Sequence, residues 1–265
     1  MRFIDSHCHL NSPELRDDVQ GALERAHAVG VDVMALIGST LADSHEAVDI
    51  CRRWPGQGLF AVTGVHPHEV KDLNSELPDE LLKLAAAPEV RAWGEIGLDY
   101  YYDLSPRNVQ IDMLVKQLEA AKALDMPVVF HMRDAYEDFW PLMTPERVPE
   151  KAELHCFTGS PEDARRALDL GWYFGVTGMI TFKKSAELRD VVKALPVESL
   201  LCETDSPWLS PVPFRGKVNE PSRVPLIYSA LAELKGLPVE DLAAQVWQNN
   251  RDFFSLEEEY CSNIV

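Results

Sequence analysis

The sequence is poor in the devices that hold small exported proteins together. Its five cysteines, Cys8, Cys51, Cys156, Cys202 and Cys261, are odd in number, scattered, and form no CxxC pair. Neither a disulfide framework nor a structural zinc knot is expected, and a reducing cytoplasm fits best. No apolar run approaches the roughly 18 residues of a membrane span, and Met1-Arg2-Phe3-Ile4-Asp5-Ser6-His7 holds no apolar signal core. Export and membrane insertion are therefore not expected. Cations are scarce as well: 25 Lys and Arg stand against 43 Asp and Glu, a formal charge of −18. Such a surface repels polyanions unless bound cations reverse its sign locally, so broad duplex binding through a basic face is disfavoured. Low-complexity segments and linkers are also missing, and no feature suggests a protein partner, so a monomer is expected.

What is present is enough chain for one large core. The 265 residues, 46% of them hydrophobic, suit a single domain spanning 1–265, since barrels of about 250 residues fold as one unit. Short apolar runs rich in β-branched residues begin near Arg2, Val31, Leu59, Val90, Pro127, Ala152, Trp172 and Ser199, giving eight strands. Between them, Glu14–Ala28, Asn108–Leu124 and Pro161–Leu170 carry apolar residues three and four apart, the helical period. Ser105-Pro106 and Ser160-Pro161-Glu162-Asp163 read as helix starts. Helices over Ser222–Leu234 and Val239–Phe254 close the fold after a Pro-rich mouth loop from Pro207 to Phe214, and the tail from Glu257 is expected to be poorly ordered. Eight strand-helix units specify a (β/α)8 TIM barrel; a doubly wound open sheet is the structural alternative.

The chemistry-bearing residues gather where strands end. Asp5-Ser6-His7-Cys8-His9 puts two imidazoles two residues apart after the first strand, on one face, able to chelate one ion. Trp93-Gly94-Glu95-Ile96-Gly97 ends the fourth strand with an acid between glycines that permit close backbone approach. The fifth and sixth strands end in His131 and His155, and the eighth runs into Glu203-Thr204-Asp205. Any one of these has an ordinary reading, such as a loop histidine or a solvated acid. Together they fall on the C-terminal rim, where barrels build their sites. Imidazole and carboxylate donors without thiolates suit Zn²⁺, Mn²⁺ or Mg²⁺ and disfavour a pure calcium cage.

Taken in order, Asp-Ser-His7-Cys-His9-Leu, Gly-Val-His66-Pro-His68, Gly-Glu95-Ile-Gly-Leu-Asp, His131, His155-Cys-Phe-Thr-Gly and Glu203-Thr-Asp205-Ser-Pro-Trp resemble the TatD family of metal-dependent deoxyribonucleases, over nearly the whole chain. The resemblance implies an amidohydrolase-like barrel and two divalent metal ions, with a third ion as an option. His7, His9, Glu95 and Asp205 would hold one ion and Glu95, His131 and His155 the other, with Glu95 as the bridge. Asp205 or Glu203 would act as general base, Glu203 alternatively recruiting the further ion. His66 would face substrate phosphate. Asn219-Glu220-Pro221 is similar to the family's Arg-Asn-Glu-Pro loop, but Val218 stands where that loop has arginine, with Arg215 and Lys217 nearby.

The implied activity is phosphodiester cleavage by a metal-activated water, from a strand end, the 3′ end by resemblance, because a barrel mouth admits a strand end more readily than an intact duplex. Single-stranded DNA is the expected substrate. Tyr100, Tyr101, Phe157, Trp208 and Phe214 are candidates for stacking on bases, or else simply pack the loops. The same metal cradle also serves amide or ester hydrolysis, so an amidohydrolase or an aminoacyl-tRNA deacylase is the alternative, and substrate screening separates the two. A metal-binding interaction protein without catalysis is the reading from another class; turnover with added Mn²⁺ or Mg²⁺ excludes it.

Overall fold

The structure, a computed structural model, describes residues 1–73 and 76–256; the tail from Glu257 lies outside the described residues. Eight strands, β1 (Phe3–Cys8), β2 (Val31–Ile37), β3 (Leu59–Thr63), β4 (Val90–Asp99), β5 (Val128–Arg133), β6 (Ala152–His155), β7 (Tyr173–Val176) and β8 (Leu200–Cys202), follow one another in chain order. Every neighbouring pair along this sheet is parallel. Between and after them lie α1 (Val19–Ala28), α2 (Leu41–Arg53), α3 (Asp79–Ala85), α4 (Arg107–Ala123), α5 (Tyr136–Phe139), α6 (Pro161–Asp169), α7 (Ala186–Ala194), α8 (Val224–Lys235) and α9 (Val239–Phe254). This is the (β/α)8 TIM barrel expected of the sequence, and the open-sheet alternative falls away.

The ring closes through the chain beyond β8. Asp205 N donates to His7 O (2.9 Å), His9 N donates to Ser206 O (2.8 Å), and Cys8 pairs with Ser206 as an isolated parallel bridge. The same closure is tied below by Asp5, whose carboxyl accepts from Thr204 N (2.8 Å) and from Thr204 Oγ1 (2.6 Å). Alternate strand residues form an apolar plug of Ile4, Val33, Ala35, Phe60, Val62, Ala92, Val129 and Leu201, stoppered by Phe253 and Phe254 from α9. Phe60 and Phe254 meet with ring centroids 4.6 Å apart. The interior is thus filled mainly by apolar side chains at its N-terminal end, with Glu153 beside Val129 as a buried acid, and the histidines gather at the C-terminal end. A second, larger apolar cluster lies between strands and helices.

Helix boundaries follow local chemistry. Ser160 caps α6 by accepting from Asp163 N (3.2 Å), while Asp163 Oδ2 accepts from Ser160 N (2.9 Å), a reciprocal capping box. The Ser105-Pro106 start is used differently: α4 begins at Arg107 without a side-chain cap, and Ser105 Oγ donates to His68 O (2.8 Å). The helix expected from Glu14 begins only at Val19, after a 3-10 turn at Arg16–Asp18. Likewise Pro221–Arg223 is a 3-10 turn, and α8 starts at Val224. Pro207–Phe214 is a loop, as expected. The four cysteines among the described residues are free, and no helix among them is long and apolar enough to cross a membrane.

Candidate metal centre

All the rim residues singled out in the sequence converge. They come from the ends of β1, β4, β5, β6 and β8 or the step just beyond, where strand side chains reach the C-terminal rim of the barrel. His131 and His155 pair directly in register across β5 and β6. Glu95 sits at the irregularity between Trp93 and Ile96 that re-registers β4 on β5. The glycines around it serve close approach: a Cβ on Gly97, whose φ is +154°, would collide with the carbonyl oxygen of His131. Asp205 occupies the left-handed region at φ +52°, a conformation that Asp tolerates better than most residues.

The distances define a compact cluster. His7 Nε2 lies 3.3 Å from His9 Nε2 and 3.4 Å from Glu95 Oε2. Asp205 Oδ1 is 3.6 Å from His9 Nε2, 4.0 Å from His7 Nε2 and 3.9 Å from His155 Nε2. Glu95 Oε1 is 2.8 Å from His131 Nδ1, 3.7 Å from His155 Nε2 and 3.8 Å from His66 Nε2. Potential ligand atoms of His7, His9 and Glu95 lie within 4.8 Å of one another, as do those of Glu95, His131 and His155. Glu95 belongs to both triads. His7, His9, Glu95 and His155 are buried, while His131 and Asp205 are partly open to the mouth.

Two carboxylates behind the histidines decide which nitrogen faces the cluster. Asp99 Oδ2 lies 2.9 Å from His131 Nε2, so that nitrogen carries the proton and Nδ1 is left to face Glu95. A lone pair opposite a carboxylate oxygen at 2.8 Å is repulsive unless a cation, proton or metal, lies between them. Glu203 stands similarly behind His155, with Oε1 2.8 Å from Nδ1, and accepts from Cys156 N at 2.7 Å. A carboxylate behind a ligating histidine fixes its tautomer and raises its basicity. The donor set therefore fits divalent cations.

The electrostatics agree. Burial pushes Glu95 toward neutrality, but His155, His66, His7 and His131 outweigh it and hold the carboxyl well below the usual range. Burial lowers His7 and His66. It also opposes charge on His131, yet Asp99 and Glu95 raise that imidazole above its ordinary value. His155 is raised further, Glu203 and Glu95 offsetting burial. Deeper in the barrel, Glu153 is fully buried beneath Glu203, and burial together with that neighbouring charge pushes its carboxyl well above the carboxylate range.

His66 lies against His131 (ring centroids 4.3 Å) at the mouth, and His68 beside it donates from Nε2 to Asp99 Oδ2 (2.9 Å). Asn219 is buried and donates to Thr204 O (2.9 Å), so this loop braces the segment carrying Asp205. Arg25 of α1 takes Glu220 (2.8 Å), and Arg215 lies over Phe182. The sequence reading passed over Asp99, although the quoted Gly-Leu-Asp segment contains it; two residues beyond an inward Gly97 it also faces the rim. It also passed over Gln110 and Gln117 of α4, polar residues on a buried helix face that nothing local distinguishes from exposed ones.

The chain resembles known proteins over its full barrel. The sequence model of one family, described as TatD related DNase, matches residues 4–255. An uncharacterized metal-dependent hydrolase of Bacillus subtilis, YabD, is 35% identical over 255 residues, covering 96% of this chain and 99% of that protein. The 3'-5' ssDNA/RNA exonuclease TatD of Salmonella typhimurium is 35% identical over 261 residues, covering 96% of this chain and 99% of that protein. The crystal structure of the TatD homologue YjjV from Escherichia coli superposes with a TM-score of 0.87 at 30% identity, covering 97% of this chain and 99% of that one. Rim motifs, barrel topology and whole-length similarity converge on one assignment: the chain belongs to the TatD-related DNase family.

Proposed function

We propose that this protein is a divalent-metal-dependent nuclease that cleaves phosphodiester bonds of single-stranded DNA from its 3′ end. The observation that carries the reading is the convergence of imidazole and carboxylate acceptors in one partly open cluster. His131 Nδ1 and Glu95 Oε1 face each other there at 2.8 Å, with Asp99 on the imidazole's other nitrogen. His7, His9, Glu95 and Asp205 would hold one ion, and Glu95, His131 and His155 a second. Divalent cations at this position supply positive charge that acidifies an attacking water and offsets charge developing on phosphoryl oxygens.

The chain's own groups then divide the remaining work. Asp205, the more open of the two β8-end carboxylates, accepts the proton as water attacks. Glu203 is fully buried and is assigned to orient His155, in preference to acting as base or binding a further ion. His66 faces the mouth beside His131 and is assigned to contact substrate phosphate. The apolar plug beneath the cluster keeps bulk water out of the barrel, so charges in the site act at reduced screening. The exonuclease relative's name supports a strand-end substrate.

The test is metal analysis of the purified protein coupled to digestion of an oligonucleotide labelled at one end, in Mn²⁺ or Mg²⁺. Wild-type protein should shorten single strands from the 3′ end. His7→Ala and Asp205→Ala should lower the rate at least about 100-fold, the usual scale for losing an electrostatic group of the transition state. Cleavage of closed circles in preference to ends, or full activity of either variant, defeats the reading.

A further inference from the structure

Beside the metal cluster, two tyrosines stand in water. Tyr101 and Tyr102, in the loop after β4, are 59% and 54% exposed, although burying a ring of that size is normally favourable. They are not loosely placed. Asp99 Oδ1 accepts from Tyr101 N (3.0 Å) and Tyr102 N (2.8 Å), while its other oxygen lies 2.9 Å from both His131 and His68. One buried carboxylate thus fixes the tyrosine turn and a metal-facing histidine together.

Rings connect the two places without a break. His131 packs on His66 (centroids 4.3 Å), His66 on His68 (4.2 Å), His68 on Tyr102 (5.5 Å) and Tyr102 on Tyr101 (4.9 Å). Over the tyrosines lies Arg133, whose guanidinium carbon is 4.0 Å from the Tyr101 ring centre and 4.9 Å from that of Tyr102. Arg133 follows His131 by two residues on β5 and pairs in register with Asp99, so it leans to the same side of the strand as His131. Some other arginines stacked on rings hold a carboxylate, as Arg53 holds Glu46, Arg107 Asp103 and Arg166 Glu162, while Arg215 over Phe182 and Arg223 over Phe214 form no ion pair among the described residues. Arg133 likewise forms no ion pair among the described residues, in a chain with 43 acids.

We propose that Tyr101, Tyr102 and Arg133 form a base-stacking subsite for single-stranded nucleic acid. It would hold a nucleotide of the strand away from the bond being cut, the tyrosines taking a base and Arg133 a phosphate. The inference rests on the nuclease reading. Stacking is tolerant of base identity, since every base has a π face, and a guanidinium over a ring keeps its N–H edge for phosphate oxygens. Of the other aromatics of the mouth, Phe157 is buried against Phe174, Tyr100 hydrogen-bonds Asp138 (2.8 Å) beneath Arg107, and Phe214 lies under Arg223. Trp208 is a single open ring set edge-on to His9, with no second ring or arginine stacked on it among the described residues. A base-paired strand cannot offer the same free faces, so the subsite selects against duplex.

The test is equilibrium binding to metal-loaded protein of a short phosphorothioate strand, labelled at its 5′ end and resistant to cleavage, read by fluorescence anisotropy. An abasic phosphorothioate strand of equal length and a blunt duplex are the comparisons. Wild-type protein should bind the base-bearing strand about tenfold more tightly than the abasic one, the scale of one stacked base. Tyr101→Ala with Tyr102→Ala should remove that preference, and Tyr101→Phe with Tyr102→Phe should keep it. Arg133→Ala should weaken both strands alike and lower the salt slope by about one charge. Equal binding of both strands by wild type, tighter binding of duplex, or retained preference in the double alanine variant overturns the proposal. Failure of the nuclease reading would show separately, as absence of turnover on an ordinary phosphodiester strand.

Discussion

Asp99 is the residue through which the site is adjusted. It is fully buried and saturated: two backbone N–H groups on one oxygen, two imidazoles on the other. The hydrogen bonds and the His131 charge outweigh burial and hold its carboxyl far below the usual range. Asp99→Asn keeps the shape but loses the charge that makes Nε2 of His131 the protonated nitrogen. Its metal affinity should fall about 10–100-fold, the usual loss when a group behind a ligating histidine is removed, with far-UV circular dichroism unchanged. Unchanged affinity in a metal titration would mean His131 is oriented by packing alone. The sequence announced His131 through its place at a strand end, but the partner came from a neighbouring strand, and pairing across strands is not written in local spacing.

At the level of elements, α4 does more than cover the barrel. Gln117 accepts from Val65 N (2.9 Å) and Trp93 Nε1 (3.3 Å) and donates to Val65 O (2.9 Å). One side chain therefore ties the segment just after β3 and the middle of β4 to the helix, next to His66. Two turns earlier, Gln110 accepts from Asp99 N (2.8 Å) and donates to Ser105 O (2.8 Å). Gln117→Leu fills similar volume but strands three buried polar groups, so it should cost about 3 kcal/mol. That corresponds to a melting temperature roughly 6–12 °C lower, measured by calorimetry; a loss under about 1 kcal/mol would show that packing, not these bonds, fixes the helix. The apolar period foretold α4 within a residue at each end, because burial of one helix face repeats every turn. It was silent on Gln110 and Gln117, since a buried amide and an exposed one have the same place in that period.

Across the whole molecule, an acid-rich chain of charge −18 gathers histidines and carboxylates at one end of the barrel, so cation binding should couple to folding. Metal held only by the native state stabilises it by about 2.7 kcal/mol at 100 times the dissociation constant. The pH dependence has a definite sign. His131 and His155 have raised pKa values, so in the metal-free protein they remain protonated above pH 6.5, and each must shed a proton before a nitrogen can ligate. Metal affinity should therefore rise as pH increases through those raised values and level off above them. Thermal melts with and without Mn²⁺ or Zn²⁺ at pH 6 and pH 8 check this: the metal-induced increment should be larger at pH 8, and an increment independent of pH would exclude these imidazoles as ligands.

The sequence by itself determined the alternation of strands and helices, the barrel class, and the rim motifs of His7, His9, Glu95, His131, His155, Glu203 and Asp205. Burial periodicity and strand-end placement are local, and a parallel eightfold repeat leaves few ways to close. Only the tertiary structure decided what stands behind each of these residues. Glu203 beside His155, Asp99 beside His131, and Asp205 hydrogen-bonded to the backbone of His7 all join segments far apart in the chain. Such contacts depend on strand register and ring closure, and no stretch of sequence contains both partners.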